Sequence, residues 1–149
     1  MNEAITFPET RINQAEQLAD RYLALWNEAD PERRRRLIAE LWTEDGAQIL
    51  QPPLEMRAIA ASAGIGMAAT LEAHGHAELE ARAATSYEEW VGSAGLSFRR
   101  RDDVYRLHEV VKFHWEAVSP DGEVMAVGLV FVVLAADGRI RRDYVFIER

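Results

Sequence analysis

The last third of the chain, residues 104–148, contains three long runs of strand-forming residues. Two short turn sequences separate them, Pro120-Asp121-Gly122 and Ala136-Asp137-Gly138. Turns of this kind join neighbouring antiparallel strands, so the region predicts an antiparallel meander. Because most of the preceding sequence has helical patterns, we expect an α+β fold in which helices and a curved sheet form a half-open cone with a pocket inside. Such a fold supports many chemistries, so the function must be argued from individual residues.

Three helices are predicted before the meander. The first begins at a capping box formed by Asn13 and Glu16. The second begins at the N-cap Asp30 with Pro31 in its first turn, and the third covers residues 76–91. The apolar residues of the first helix recur at helical spacing: Ala15, Leu18, Ala19, Tyr22, Leu23 and Trp26. Shorter segments complete the prediction, with strands at 47–51, 67–73 and 96–101, a stop at Gly46 and a loop with a helical turn at 54–66.

The size and composition of the chain exclude several classes of protein. Its 149 residues fit one domain, expected at 13–149 with an N-terminal extension at 1–12. The absence of cysteine removes disulfides and sulfur-ligated metals, and is compatible with a reducing compartment. A net charge of -8 disfavours nucleic-acid and anionic-membrane partners. No signal sequence or membrane span is recognised, so a cytoplasmic protein is expected.

The strand predicted at 123–135 is apolar on both faces. Helices on one side of a single sheet cover only one face. We therefore expect a second copy of the chain to cover the other face, which makes the protein a homodimer.

Four segments together resemble the SnoaL-like branch of the nuclear transport factor 2-like superfamily: 22–30 (YLALWNEAD), 41–47 (LWTEDGA), 111–115 (VKFHW) and 137–140 (DGRI). The resemblance implies a cone-shaped α+β fold, in which three helices from the N-terminal half pack on a curved, mixed, mainly antiparallel sheet. It also implies a mostly apolar pocket, commonly in a dimer. The family includes ketosteroid isomerases, polyketide cyclases, limonene-epoxide hydrolases, dehydratases and noncatalytic binding modules.

No known catalytic set of this family is retained intact. Tyr22 matches the tyrosine with which the isomerases donate to an oxyanion, but their base aligns with Gln51, which cannot accept a proton. Their second acid, and the acid of the polyketide cyclases, align with Val130. The sequence 142–144 resembles the Arg-Asp-Tyr of the epoxide hydrolases, although it lies two residues closer to the preceding turn. The partner Arg-x-Asp of those enzymes is replaced by residues 113–115 (FHW).

Two acids are candidates for a general base. Alternation along the strand that begins at Val104 puts Glu109 on the same face as Val111 and other apolar side chains. Asp143 shares a face with Val145 on the last strand, which the resemblance directs towards the pocket. Acids in such surroundings are costly unless they are paired or functional. We expect both to face one cavity, about 10 Å apart across two strand spacings. The alternatives are a bulge or an Arg141 ion pair for Glu109, and an arginine partner for Asp143.

The other candidates are aromatic, polar or histidine side chains. Tyr22 and Trp26 lie one helical turn apart, a spacing that equally suits core packing. Trp115 is expected in the core beside the pocket. His108 alternates onto the opposite face, unless a bulge shifts the strand and makes it a base. His74-Gly75-His76 has metal-pair spacing but no third ligand, so no metal is expected. Phosphate-binding and dinucleotide glycine motifs are not found, so no cofactor is expected.

The sequence thus predicts a homodimer that encloses a small, largely apolar organic molecule. In the enzyme hypothesis, Asp143 or Glu109 is the general base and Tyr22 donates to a substrate oxygen in a proton-transfer or hydrolytic reaction. The residues expected to contact the ligand are Trp26, Gln51, Trp115, Val130 and His108. A noncatalytic ligand-binding or dimerisation module is the alternative, and the sequence does not decide between them.

Overall fold

The computed structural model describes residues 3–51, 54–64 and 70–148. Over these ranges the helices are α1 (Glu3–Asn27), α2 (Pro31–Leu41), α3 (Leu54–Ser62) and α4 (Gly75–Ser86), and π-helical turns at Tyr87–Ser93 continue α4. The strands are β1 (Trp42–Leu50), β2 (Leu71–His74), β3 (Ser97–Arg100), β4 (Tyr105–Leu107), β5 (Val110–Val118), β6 (Val124–Leu134) and β7 (Ile140–Ile147). Within the described ranges, no helix is both long and apolar enough to cross a membrane.

All the strands form one curved sheet in the order β2-β1-β7-β6-β5-β3, and β4 pairs with β5. The pairs are antiparallel except β1 with β7, which run parallel. The meander β5-β6-β7 has its turns where the sequence predicts them, with left-handed backbone at Gly122 and Gly138. The predicted α+β class and the mixed, mainly antiparallel sheet are confirmed.

The core lies between the helices and one face of the sheet. The helices α1, α2 and α4 contribute their apolar sides, and strands β1, β5, β6 and β7 contribute alternate residues. The predicted apolar face of α1 is confirmed, since Ala19, Tyr22 and their partners on that face are buried. Asp30 caps α2 as predicted, because its side chain accepts a hydrogen bond from the backbone N–H of Glu32 at 3.1 Å.

Several predicted element boundaries are wrong. Helix α1 begins at Glu3, so Asn13 lies inside it and is not an N-cap. Gly46 does not stop a segment but lies within β1, where a Cβ atom would be 2.8 Å from Trp42 Cδ1. The loop predicted at 54–66 is largely the helix α3. Residues 67–69 of the predicted second strand lie outside the described residues, and β2 begins at Leu71.

The prediction of one long strand at 104–118 is also wrong. Most of these residues form a tight hairpin, in which β4 folds back on β5 with Leu107 opposite Val110. His108 adopts a left-handed φ of 52° at the turn, an uncommon conformation for a residue other than glycine. The alternation that assigned Glu109 to an inward face is therefore broken at this turn.

Candidate functional site around Asp143

Asp143 lies in the middle of β7 and faces the helices, and its exposed fraction is 0%. Strand β7 lies between β6 and β1, and Asp143 is opposite Val132 on one side and Gln48 on the other. Because alternate residues of a strand face the same way, Asp143 shares the inward face with Val145, which is also buried. The fold thus holds one carboxyl group inside an apolar core.

Two donors from other elements contact this carboxyl group. The Tyr22 hydroxyl of α1 donates to Oδ2 at 2.8 Å, and Gln48 Nε2 of β1 donates to the same oxygen at 2.9 Å. The other oxygen, Oδ1, is buried and has no hydrogen-bond partner among the described residues. The carboxyl group therefore has one oxygen held by the protein and one buried oxygen whose capacity to accept a proton is unused by the described residues.

Arg82 of α4 fixes the direction of the Gln48 amide. Its Nε donates to Gln48 Oε1 at 3.2 Å, and a guanidinium has only donors. The amide oxygen must therefore face Arg82, which turns the amide nitrogen towards Asp143. The guanidinium also lies over the Trp26 ring, 5.6 Å from its centroid, a cation–π distance. Trp26 in turn meets Tyr22 edge to face, with ring centroids 5.9 Å apart.

Burial controls the protonation of this group. It raises the pKa of Asp143 to about 7, although the Gln48 and Tyr22 hydrogen bonds and the Arg82 charge act in the opposite direction. Burial, followed by the charge of Asp143, raises the pKa of Tyr22 well above its ordinary value. Asp143 therefore changes its protonation state near neutral pH, whereas Tyr22 remains a hydrogen-bond donor.

A cleft of about 410 Å³ opens next to this group. Its lining combines four apolar side chains with four polar or charged ones: Gln48, Leu50, Leu71, Glu72, Ala73, Glu78, Ala81 and Arg82. Gln48 and Arg82 thus belong both to the cleft and to the hydrogen-bonded group. A second, larger depression of about 580 Å³ lies between α1 and β3. There Arg100 forms ion pairs with Glu16 and Asp20.

The structure brings some of the predicted site residues together. Tyr22 contacts Asp143 directly, so its hydroxyl donates to the acid in this structure and not to a substrate oxygen. Trp26 lies beside both Tyr22 and Arg82. Val130 is fully buried on β6, opposite Val145. The arginines considered as partners of Asp143, at positions 141 and 142, are both exposed.

Other predicted site residues lie apart from this group. Glu109 and His108 are exposed in the β4–β5 turn, so the expected meeting of two acids in one cavity is wrong. Gln51 lies just beyond β1, where its backbone N–H donates to the carbonyl of Val145. Trp115 is half-buried and packs edge to face on Phe98, with ring centroids 5.4 Å apart.

Metal binding has no support in the part of the chain that the structure describes. No group of three or more histidine, cysteine, aspartate or glutamate residues there could hold a metal ion. The two histidines considered as a metal pair have different partners: His74 Nε2 contacts Glu72, and His76 Nε2 contacts the carbonyl of Trp42.

Sequence reasoning missed Gln48 and Arg82. Gln48 is in the predicted strand 47–51, but its pairing with Asp143 depends on β1 meeting β7. Arg82 had one weak signal, because it is a single basic residue in an alanine-rich helix, near the predicted apolar positions Leu79 and Ala83.

The chain is similar to known proteins in its three-dimensional structure. No protein-family model and no curated protein sequence matches the chain. A SnoaL-like family protein from Agrobacterium tumefaciens, described as a candidate isomerase, is 26% identical with a TM-score of 0.73, over 92% of this chain and 99% of that one. A SnoaL-like protein of unknown function from Burkholderia thailandensis is 13% identical, with a TM-score of 0.61 over 92% and 97%. A protein with a ketosteroid isomerase-like fold from Catenulispora acidiphila is 12% identical, with a TM-score of 0.56 over 86% and 82%.

Proposed function

We propose that this chain, which has the SnoaL-like form of the nuclear transport factor 2-like fold, encloses a small, largely apolar organic molecule and catalyses a proton transfer on it. The observation that carries the proposal is the buried Asp143 carboxyl group, whose oxygen Oδ1 has no partner among the described residues. A buried acid with a pKa of about 7 is well matched to proton transfer near neutral pH.

The proposed mechanism uses the two carboxylate oxygens differently. In this mechanism the substrate reaches past the lining of the cleft to Asp143 Oδ1, which is buried in this structure. Oδ1 takes a proton from it, either from a carbon next to a carbonyl group or from a water molecule in a hydrolytic reaction. Tyr22 and Gln48 hold Oδ2 and keep the carboxylate oriented while its protonation changes. Burial keeps water away from the carboxyl group, and the proton on Oδ1 is then available for return to the product.

The test is proton exchange, because it does not require the natural substrate. Wild-type protein is incubated in D₂O with a panel of hydrophobic cyclic ketones, and loss of the α-proton signal is followed by NMR. A parallel panel of epoxides is followed for ring opening. We expect Asp143→Asn to lower the active reaction at least ~100-fold, because the amide keeps the shape but cannot act as the base.

Glu109→Gln is the matched control, since it removes an acid from the exposed β4–β5 turn. It should leave the rate unchanged. If Asp143→Asn retains the full rate, Asp143 is not the base. If Glu109→Gln is the slow variant, the proton acceptor is at the turn.

A noncatalytic ligand-binding module is the second candidate, and one observation favours it. Asp143 is not among the residues that line the cleft, whereas Gln48, which donates to the acid, is one of them. In a binding module, Asp143 would only hold Gln48 and Tyr22 in place. Ligands would then raise the melting temperature of the wild type and of Asp143→Asn without any turnover by either.

We also propose that the protein is a homodimer that pairs through the sheet face away from the helices. This face carries half-exposed or exposed apolar side chains, among them Leu129, Phe131 and Phe146. The rings of Phe131 and Phe146 meet edge to face, with centroids 5.9 Å apart. Phe146 is 44% exposed and Met125 is 52% exposed in the single chain. An apolar surface of this kind supports association with a second copy.

A further inference from the structure

We infer that Arg82 makes the cleft selective for apolar molecules that carry a carboxylate group. The inference deepens the proposed function, because it rests on the cleft being the ligand site. It concerns what the ligand must carry, whereas the proposed function concerns what Asp143 does to it.

The first argument is the position of the guanidinium. Arg82 lines the cleft on one side, and on the other its guanidinium lies over the Trp26 ring. The residue is half-buried, and burial lowers its pKa from the ordinary value. A cation held at the border of the core is less well hydrated than a surface arginine and gains more from an anionic partner.

The second argument is that the protein leaves most of its donors unused. Besides its contact with the Trp26 ring, Arg82 makes one side-chain hydrogen bond among the described residues, from Nε to Gln48. In the described part of the chain, no carboxylate lies within 4.0 Å of its guanidinium nitrogens. By contrast, Arg99 and Arg101 share Glu116 at 2.9 and 2.8 Å. A guanidinium with free Nη donors matches the geometry of a carboxylate.

The third argument concerns the acids of the cleft. Glu78 precedes Arg82 by one helical turn, but its carboxylate accepts the backbone N–H of His74 at 2.8 Å. Glu72 contacts His74 at 2.7 Å. Both acids are exposed, so water screens their repulsion of an anion, whereas the Arg82 charge is screened less. The apolar part of a ligand would contact the apolar lining of the same cleft, such as Leu50 and Leu71.

Calorimetric titration with matched ligands tests this inference. The probes are hexanoate, 3-phenylpropionate and 2-naphthoate, each compared with its neutral primary amide, together with hexylamine. We expect the wild type to bind each carboxylate at least about tenfold more tightly than the amide, a usual margin for a charge-assisted hydrogen bond. Arg82→Met keeps an unbranched side chain without the charge, and should bind the acids and the amides equally.

Arg36→Met is the control, because it removes the same charge from an exposed position of α2. It should keep the wild-type preference. Arg82→Gln replaces Arg82→Met if the latter fails to fold, with the same expected loss of preference. Equal binding of acids and amides by the wild type would overturn the inference and leave the ligand cleft standing. The inference would also be overturned, with the ligand cleft kept, if Arg82→Met still preferred the acids or if the wild type bound hexylamine more tightly than hexanoate. If none of the probes binds, both the inference and the proposed ligand cleft fail.

Discussion

At the scale of single residues, the buried carboxyl group of Asp143 makes stability depend on pH. Its pKa of about 7 in the folded chain lies above the ordinary value of 3.8. Between these values the folded state keeps a proton that the unfolded state releases. The Asp143 contribution to the free energy of unfolding therefore falls as pH rises from about 4 to about 7, by about 4 kcal/mol in all.

Asp143→Asn should remove this dependence, because the amide does not titrate. Urea denaturation of both proteins from about pH 4 to about pH 8 gives the comparison. We expect the stability of the variant relative to the wild type to increase with pH and to level off above about pH 7. A constant difference across the range would mean that Asp143 has an ordinary pKa.

Tyr22→Phe should be more costly at high pH than at low pH. The hydroxyl donates to Asp143 Oδ2, and a hydrogen bond to a charged group contributes about 1.5–3 kcal/mol against about 1 kcal/mol for a neutral one. Urea denaturation at about pH 5 and about pH 8 measures both values. The same loss at both pH values would show that the tyrosine does not sense the charge of Asp143.

The sequence identified two members of this residue group and missed two. Helical spacing put Tyr22 on the apolar side of its helix, and alternation put Asp143 on the same face as Val145. The family resemblance then directed that face of the strand towards the pocket and made Tyr22 a candidate donor. Gln51 was named because it aligns with the isomerase base, whereas the position of Gln48 opposite Asp143 depends on the register of β1 against β7. That register is a contact between distant parts of the chain, and local periodicity contains no information about it.

At the scale of elements, the packing of β5 against β6 depends on a large residue that lies opposite a glycine. Trp115 is opposite Gly128, and a Cβ atom at position 128 would lie 2.3 Å from ring atoms of Trp115. Gly128→Ala should therefore cost about 1–3 kcal/mol, because the ring must move from its packed position against Phe98. Chemical denaturation of the single variant measures this loss.

Two further variants test the cause. Adding Trp115→Leu to Gly128→Ala should make the two losses less than additive, because the smaller side chain removes the clash. Gly92→Ala is the control, since its added Cβ atom would meet Tyr87 only at ordinary contact distances of 3.5 and 3.8 Å. A strictly additive double variant would contradict the steric explanation.

The elements with regular patterns were predicted well, and those with irregular turns were not. Helix α2 has a capping aspartate and an apolar face, and it forms where these signals indicate. The β4–β5 hairpin turns at His108-Glu109, without the glycine or asparagine that usually marks a left-handed turn residue. The run from Val104 to Val118 therefore resembles one uninterrupted strand, and Glu109 was assigned to the wrong face.

At the scale of the whole molecule, the outer sheet face tests the proposed dimer. Phe131→Glu should yield monomer or aggregate, because a buried unpaired acid in an interface costs several kcal/mol. Sedimentation at micromolar concentration is the measurement. Val127→Glu is a poorer test, since Val127 is only 4% exposed in the single chain and its replacement would disturb the fold itself.

Thr85→Glu is the control, because it adds the same charge to an exposed position of α4. It should sediment like the wild type. If the wild type itself sediments as a monomer, the proposed dimer is wrong.

Because β7 pairs with β1 from the other end of the chain, the group around Asp143 can form only late in synthesis. Asp143 is separated from Gln48 by 95 residues and from Tyr22 by 121. Because synthesis runs from the N-terminus, the polar group cannot assemble on a ribosome-bound chain until β7 has left the exit tunnel. Until then, Tyr22 and Gln48 lack their acceptor, and β6 lacks one of its two neighbours. A nascent chain stalled before β7 should therefore be the form most dependent on chaperones.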